Sequence, residues 1–170
     1  FRNREGKITE GWRDTDLLID GPSVEDASAA FSKNWLHLTG DSLPKQEYNN
    51  NHNRLPGNDV AVQIIQHSAS NDGNNQFTNF LLTHLNELKP VEAAFFETSC
   101  FCGSSNLSPL FDAMIGAAKR GVKITVLTNS ATTSDMPSIN KAAFHTYRDL
   151  LESGVRIFER RDNRTIHSKI

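Results

Sequence analysis

The sequence lacks the long apolar run of a membrane-spanning helix, which needs roughly 20 consecutive residues. It has only two cysteines, Cys100 and Cys102. Their spacing would strain a disulfide between them, so we predict small residues that close a strand end. No excess of charge is present either, because 18 Lys and Arg against 20 Asp and Glu give a net charge of −2. That balance argues against a broad basic surface for nucleic acid.

Apolar residues are also scarce, at 37% of the chain, and much of the deficit lies in one Asn-rich tract. This tract, residues 41–58, cannot bury enough apolar surface to offset the entropy of ordering it, so it is predicted to be a linker or surface loop. The chain begins with Phe1 rather than Met and stops one residue after Lys169. We therefore expect a fragment of a longer protein.

After this tract, apolar runs alternate with helical patterns in the order β-α-β-α-β-α-β-β. The predicted strands are residues 60–67, 92–98, 122–127, 155–158 and 165–170. Before the tract, a strand is predicted at residues 16–20, followed by a helix that Gly40 ends and that carries Phe31 and Trp35 as core residues. Helical connections between strands imply largely parallel pairing with helices on both faces, which is an α/β fold.

The last predicted strand carries the residues with the clearest chemistry. His167 and Lys169 are two apart, so on a strand they point to the same face. An imidazole can attack phosphorus or transfer a proton, and a neighbouring ammonium can hold a phosphate oxygen. The pair therefore suits phosphodiester chemistry. The alternative is a half-exposed strand with two polar residues facing outward, since a three-residue match has a high false-positive rate.

Several motifs in order resemble the phospholipase D superfamily, and within it the bacterial cardiolipin synthase-like branch. His167-Ser168-Lys169 is similar to the start of the second His-x-Lys-x₄-Asp copy of that family, whose Asp would fall beyond residue 170. The other similar stretches are Trp12 to Asp16 with Gly21-Pro22, Ala118 to Ile124, Leu127 to Ser130, and Tyr147 to Val155. One departure is the turn after Glu97, where the family often has Pro-Tyr-Phe and this chain has Ser99-Cys100-Phe101.

The resemblance implies a phospholipase D-like α-β-α sandwich with a mixed, largely parallel sheet. It also implies a domain order. Residues 1–40 would be the tail of a first half, residues 41–58 the linker, and residues 59–170 a second half that stops after the His-x-Lys motif. A first His-x-Lys motif is not among these residues. The chain by itself is therefore expected to be inactive unless it dimerises or meets the missing half.

For chemistry, the resemblance implies transfer or hydrolysis of a phospholipid phosphodiester through a phosphohistidine, without a metal or other cofactor. His167 is expected to be the general acid and base, and Lys169 to bind phosphate oxygens. Glu97 at the end of one strand would bind substrate or help to orient an imidazole, or else form a boundary salt bridge. Asn129 and Ser130 at the end of another strand would bind phosphate or glycerol, or else cap a loop.

The implied partners are a phospholipid, with phosphatidylglycerol as the first candidate, and a membrane surface, with the bacterial inner membrane as the expected location. Two other functions stay open. A phosphodiesterase of the same fold could act on nucleic acid, which the near-neutral charge disfavours. A non-catalytic α/β binding module would make the His-Lys pair incidental.

Overall fold

The computed structural model describes residues 11–44, 60–65, 76–101 and 108–168. The chain divides into two compact units, one within residues 16–77 and one formed by residues 1–15 together with residues 78–170. The predicted domain boundaries stay predictions. Strand β1, at residues 12–13, lies in the same unit as the later strands.

The described residues form five strands and four helices. The strands are β1 (Trp12–Arg13), β2 (Ala93–Thr98), β3 (Lys123–Asn129), β4 (Arg156–Arg160) and β5 (Thr165–Ile166). The helices are α1 (Ser23–Thr39), α2 (Gln76–Glu87), α3 (Ser108–Lys119) and α4 (Pro137–Glu152). This content confirms the predicted α/β class.

The strands pair in two parallel sets. Strands β2, β3 and β4 form one sheet in that order, and β1 pairs with β5 in a second. Both connections within the larger sheet run through a helix, α3 between β2 and β3 and α4 between β3 and β4, because parallel neighbours need a crossover. The predicted parallel pairing is therefore confirmed, and the carboxyl ends of β2, β3 and β4 meet at one edge.

The core of this unit lies between the sheet and the helices α3 and α4. Alternate residues of β3, Ile124 and Val126, are fully buried, as a strand with one covered face requires. The core cluster includes Met114 from α3 and Leu150 from α4. Gly121 lies just after the end of α3 and has a φ of 96°. This is a left-handed conformation, which glycine adopts without steric cost.

Two predicted strands are wrong in the part of the chain that the structure describes. Residues 16–20 and 60–65 form no regular secondary structure. Leu17 and Leu18 are 86% and 91% exposed. A short apolar run satisfies the backbone as a strand only when another strand is beside it, and neither segment has such a neighbour among the described residues. Residues 66 and 67 lie outside the described residues.

Helix α1 forms as predicted and ends at Gly40, whose φ is 78°. The prediction that Phe31 and Trp35 are core residues is wrong, because their exposed fractions are 61% and 40% and α1 has no buried residue. The two rings stack on each other, with centroids 6.3 Å apart. Periodicity shows which face of a helix is apolar, but it does not show whether another element covers that face.

Strand β4 carries a partly buried carboxyl, Glu159. Burial raises the pKa of Glu159 above its ordinary value, while the charge of Arg161 and the hydroxyl of Tyr147 oppose that rise. A carboxyl whose pKa is raised by folding binds its proton more tightly in the folded state. Its contribution to stability is therefore present at low pH and is lost as the pH rises through the folded-state pKa.

We expect Glu159→Gln to remove this loss, because an amide cannot ionise. The free energy of unfolding of the variant, relative to that of the wild type, should therefore increase as the pH rises from about 4 to about 7. Urea unfolding at both pH values measures the difference. Glu87→Gln, at an exposed position of α2, is the matched control. Equal changes in the two variants between those pH values would contradict the prediction.

Candidate functional site

The polar residues of the site gather at the carboxyl edge of the sheet. Glu97 stands near the end of β2, and Asn129 is the last residue of β3. Strand β3 runs two residues further than predicted, because Thr128 and Asn129 remain in register with β2 and β4. Open α/β sheets bind ligands at this edge, where strands end and loops begin. The prediction that His167 lies within the last strand is wrong, because β5 ends at Ile166 and His167 follows directly after it.

Asn129 joins β3 to β5 through its side chain. Its Nδ2 donates to the carbonyl oxygen of Ile166 at 2.8 Å, and its Oδ1 accepts from the backbone N–H of Ile166 at 2.8 Å. The amide thus pairs with both backbone groups of one residue, much as a neighbouring strand would. Its second N–H donates to the carbonyl oxygen of Ser99 at 3.0 Å.

These bonds give Asn129 partners other than the predicted phosphate. The residue is fully buried, and both hydrogens of its amide already have protein acceptors. Its backbone carbonyl in turn accepts from Nδ2 of Asn140 on α4 at 2.8 Å. In this arrangement Asn129 positions the segment that leads to His167. A direct role in substrate binding stays a prediction.

Ser130 lies in the turn after β3 and is buried. Its hydroxyl is 2.8 Å from Oγ1 of Thr132 and 3.2 Å from Oγ1 of Thr133. Its backbone N–H bonds to the carbonyl oxygen of Arg160 on β4 at 3.3 Å. The structure therefore gives Ser130 the contacts of a loop cap, which was the alternative to phosphate binding.

Glu97 is also buried, with only 4% of the residue exposed. Its Oε1 accepts from the guanidinium of Arg13 on β1 and from the hydroxyl of Ser168. A buried carboxylate needs such partners, because an unpaired charge away from water is costly. Glu97 therefore ties β1 and the residue after His167 to the end of β2. This is the salt bridge that the sequence left open.

Three contacts hold His167, and they come from the two residues of β1 and from the residue that follows this strand. Its backbone N–H donates to the carbonyl oxygen of Arg13 at 2.9 Å. Its Nδ1 is 2.8 Å from Oδ1 of Asp14. Its ring stacks on the indole of Trp12. Because an ionised carboxylate only accepts hydrogen bonds, the bond to Asp14 requires the proton on Nδ1.

The arrangement suits acid-base chemistry at the other ring nitrogen. With Nδ1 protonated and bound to a carboxylate, Nε2 is the atom that takes or gives a proton. The side chains of His167 and Asp14 are 37% and 45% exposed, so the pair lies at the protein surface. Lys169, the other residue of the motif, lies outside the described residues, and its role stays a prediction.

Asp14 and Trp12 were not among the predicted site residues, although both stand in a stretch that carries the family resemblance. The only available signal was their spacing of two, which puts both on one face of an extended segment. That signal could not show which strand β1 joins. The parallel pairing of Trp12 with Thr165 and of Arg13 with Ile166 brings His167 to Asp14 across 153 residues.

The turn before β5 is fixed by an ion pair. Arg160 donates from Nε and Nη2 to both carboxylate oxygens of Asp162, and the backbone N–H of Arg164 donates to Oδ1 of Asp162 at 3.1 Å. The hydrogen bonds from Arg160 lower the pKa of Asp162 to about 2, with a smaller contribution from Arg164. The turn therefore keeps this acceptor ionised over the physiological pH range.

A family model described as cardiolipin synthase, PLD-like domain, matches residues 98–170, which contain β3, β4, β5 and His167. The resemblance to the phospholipase D superfamily is confirmed. Strand β1, which contains Trp12, and Asp14, which follows it, lie before the matched segment. The family match therefore covers one side of the site, and the pairing of β1 with β5 supplies the other.

Curated relatives extend the similarity to most of the chain. A cardiolipin synthase of Clostridium perfringens is 26% identical over 86% of this chain. Cardiolipin synthases of Alkalihalophilus pseudofirmus and Halalkalibacterium halodurans are 23% and 24% identical over 94% of it. In each case the chain spans 30% of the length of the relative. No solved structure gives a significant match.

Among the residues that the structure describes, no helix has both the length and the apolar character to span a bilayer. The longest of the described helices, α1, contains the charged residues Glu25, Asp26 and Lys33.

We expect Asn129→Ala to destabilise the unit that contains β1 to β5 by about 2–4 kcal/mol, because it leaves buried backbone groups of Ile166 and Ser99 without their partner. Asn79→Ala, at an exposed position of α2, is the control and should change stability by less than about 0.5 kcal/mol. Urea unfolding gives both values. A loss in the Asn129 variant no larger than that of the control would mean that the amide bridge contributes little.

Proposed function

We propose that this chain supplies one half of the active site of a phospholipid phosphatidyltransferase of the cardiolipin synthase type. The observation that carries the proposal is the bond of Asp14 to His167 at an exposed sheet edge, where His167 belongs to the segment that the family model matches. An imidazole oriented by a carboxylate is the arrangement that a general acid and base needs.

In the proposed reaction, a histidine of the other half attacks the phosphodiester and forms a phosphohistidine. His167 gives a proton from Nε2 to the departing alkoxide, then takes one from the incoming alcohol. Asp14 accepts from Nδ1 throughout, which keeps the ring in one tautomer and offsets the charge of the doubly protonated ring. Lys169 is proposed to hold the phosphate oxygens while negative charge grows on them.

The second histidine must come from outside these 170 residues, which contain a single His-x-Lys motif. We infer that the partner is the other half of the same protein or a second copy of this chain. The proposed substrate is phosphatidylglycerol, reached at a membrane surface. Its acceptor is a second phosphatidylglycerol, so that the products are cardiolipin and glycerol. No metal or cofactor takes part in this scheme.

The test uses the protein with both His-x-Lys motifs, incubated with phosphatidylglycerol in mixed micelles, with lipid products identified by mass spectrometry. Cardiolipin formation that is lost in His167→Gln supports the transferase. Phosphatidic acid as the sole lipid product would make the protein a phospholipase D instead. No lipid product, together with cleavage of DNA, would replace the proposal with the nuclease.

We expect Asp14→Asn to lower kcat by about 10²–10⁴-fold, because an amide can present its N–H to Nδ1 and favour the wrong tautomer of His167. Asp20→Asn is the control, since Asp20 is an exposed acid in the following loop and is outside the similar motif. Circular dichroism and thermal melting show whether each variant is folded. A folded Asp14→Asn protein with wild-type kcat would rule out the orienting role.

A further inference from the structure

Trp12 contacts the same imidazole that Asp14 binds, but through the face of the ring. The centroids of the indole and imidazole rings are 4.3 Å apart, and the two planes differ by 13°. This is a stacked pair, within the distance at which aromatic rings attract each other. Trp12 is 49% exposed, so the core alone does not account for its place beside His167.

The two contacts restrain different motions of the ring. The hydrogen bond from Nδ1 to Oδ1 of Asp14 fixes the direction in which Nδ1 points. It leaves the plane of the imidazole able to tilt about the line from Nδ1 to Oδ1. A flat neighbour over the ring face prevents this tilt, because any tilt breaks the stack. The aromatic face also attracts the ring when it carries a positive charge. Together the two side chains direct Nε2 along one line.

The backbone explains why one short segment provides both restraints. Residues that alternate along an extended chain point to opposite sides, so Trp12 and Asp14 reach His167 while Arg13 reaches Glu97. The carbonyl oxygen of Arg13 also accepts from the backbone N–H of His167 at 2.9 Å. The segment from Trp12 to Asp14 therefore holds both the backbone and the ring of His167.

We propose that Trp12 is a positioning residue, which fixes the plane of the His167 imidazole so that Nε2 meets the reacting oxygen. The effect on rate rests on the proposed phosphatidyl transfer, whereas the stacking itself does not. Aromaticity at position 12 is then the required property. Phenylalanine should preserve the function of the residue, and leucine, which is apolar but has no flat ring, should lose it.

The first experiment detects the contact between Trp12 and His167 by tryptophan fluorescence, without substrate. The chain has two tryptophans, so Trp35→Phe leaves Trp12 as the single indole emitter. A protonated imidazole in contact with indole quenches its fluorescence by accepting an electron from the excited ring, so the emission is read at about pH 5. In this background His167→Leu, whose side chain is not a quencher, should therefore raise the emission, whereas His145→Leu, at an exposed position of α4, should not. Unchanged emission in the His167 variant would overturn the stacking, and with it the proposal.

The second experiment measures phosphatidyl transfer in the protein with both motifs. Trp12→Leu should lower kcat about tenfold to a hundredfold with little change in KM, since a misplaced group costs rate more than binding. Trp12→Phe should keep most of the wild-type kcat, and Trp35→Phe all of it. Equal rates for the leucine and phenylalanine variants would overturn the role of the ring. A wild-type protein without lipid activity would refute the proposed function, and the fluorescence result would still decide the stack.

Discussion

The structure of the site depends on one buried amide. Asn129 ends β3, and its side chain satisfies both the N–H and the carbonyl oxygen of Ile166. A short strand such as β5 has few backbone bonds of its own, so a neighbour that supplies two of them decides where it lies. Because Ile166 precedes His167, the position of the imidazole relative to the sheet follows from this amide and from the β1 pairing.

The two carboxylates near the Asn129 amide, those of Glu97 and Asp14, differ in how far they are buried. Glu97 is buried with Arg13 and Ser168, whereas the Asp14 carboxylate and the His167 ring are half exposed. A buried, doubly bonded carboxylate is suited to holding elements together, and an exposed one beside an imidazole is suited to chemistry. The two acids at this edge thus have different roles because their surroundings differ. Their residue types alone do not distinguish them.

The similarity to cardiolipin synthases and the structure complement each other. The family model matches the strands from the end of β2 onward, and it includes His167. The residues that orient His167 lie in β1 and directly after it, before the matched segment, and β1 joins that segment by parallel pairing. The proposed acid-base dyad is therefore assembled from two distant parts of the chain.

Local pattern in the sequence was enough to determine the helices, the three parallel strands β2, β3 and β4, the helix-ending glycines and the chemical character of His167. These features depend on periodicity, turn residues and residue type, all of which act over a few positions. Tertiary structure alone decided that Asp14 and Trp12 meet His167, that Asn129 and Ser130 bind protein groups, and that Phe31 and Trp35 are exposed. Each of these outcomes depends on which element lies beside another. Pairing over 153 residues leaves no mark in the local pattern of either strand.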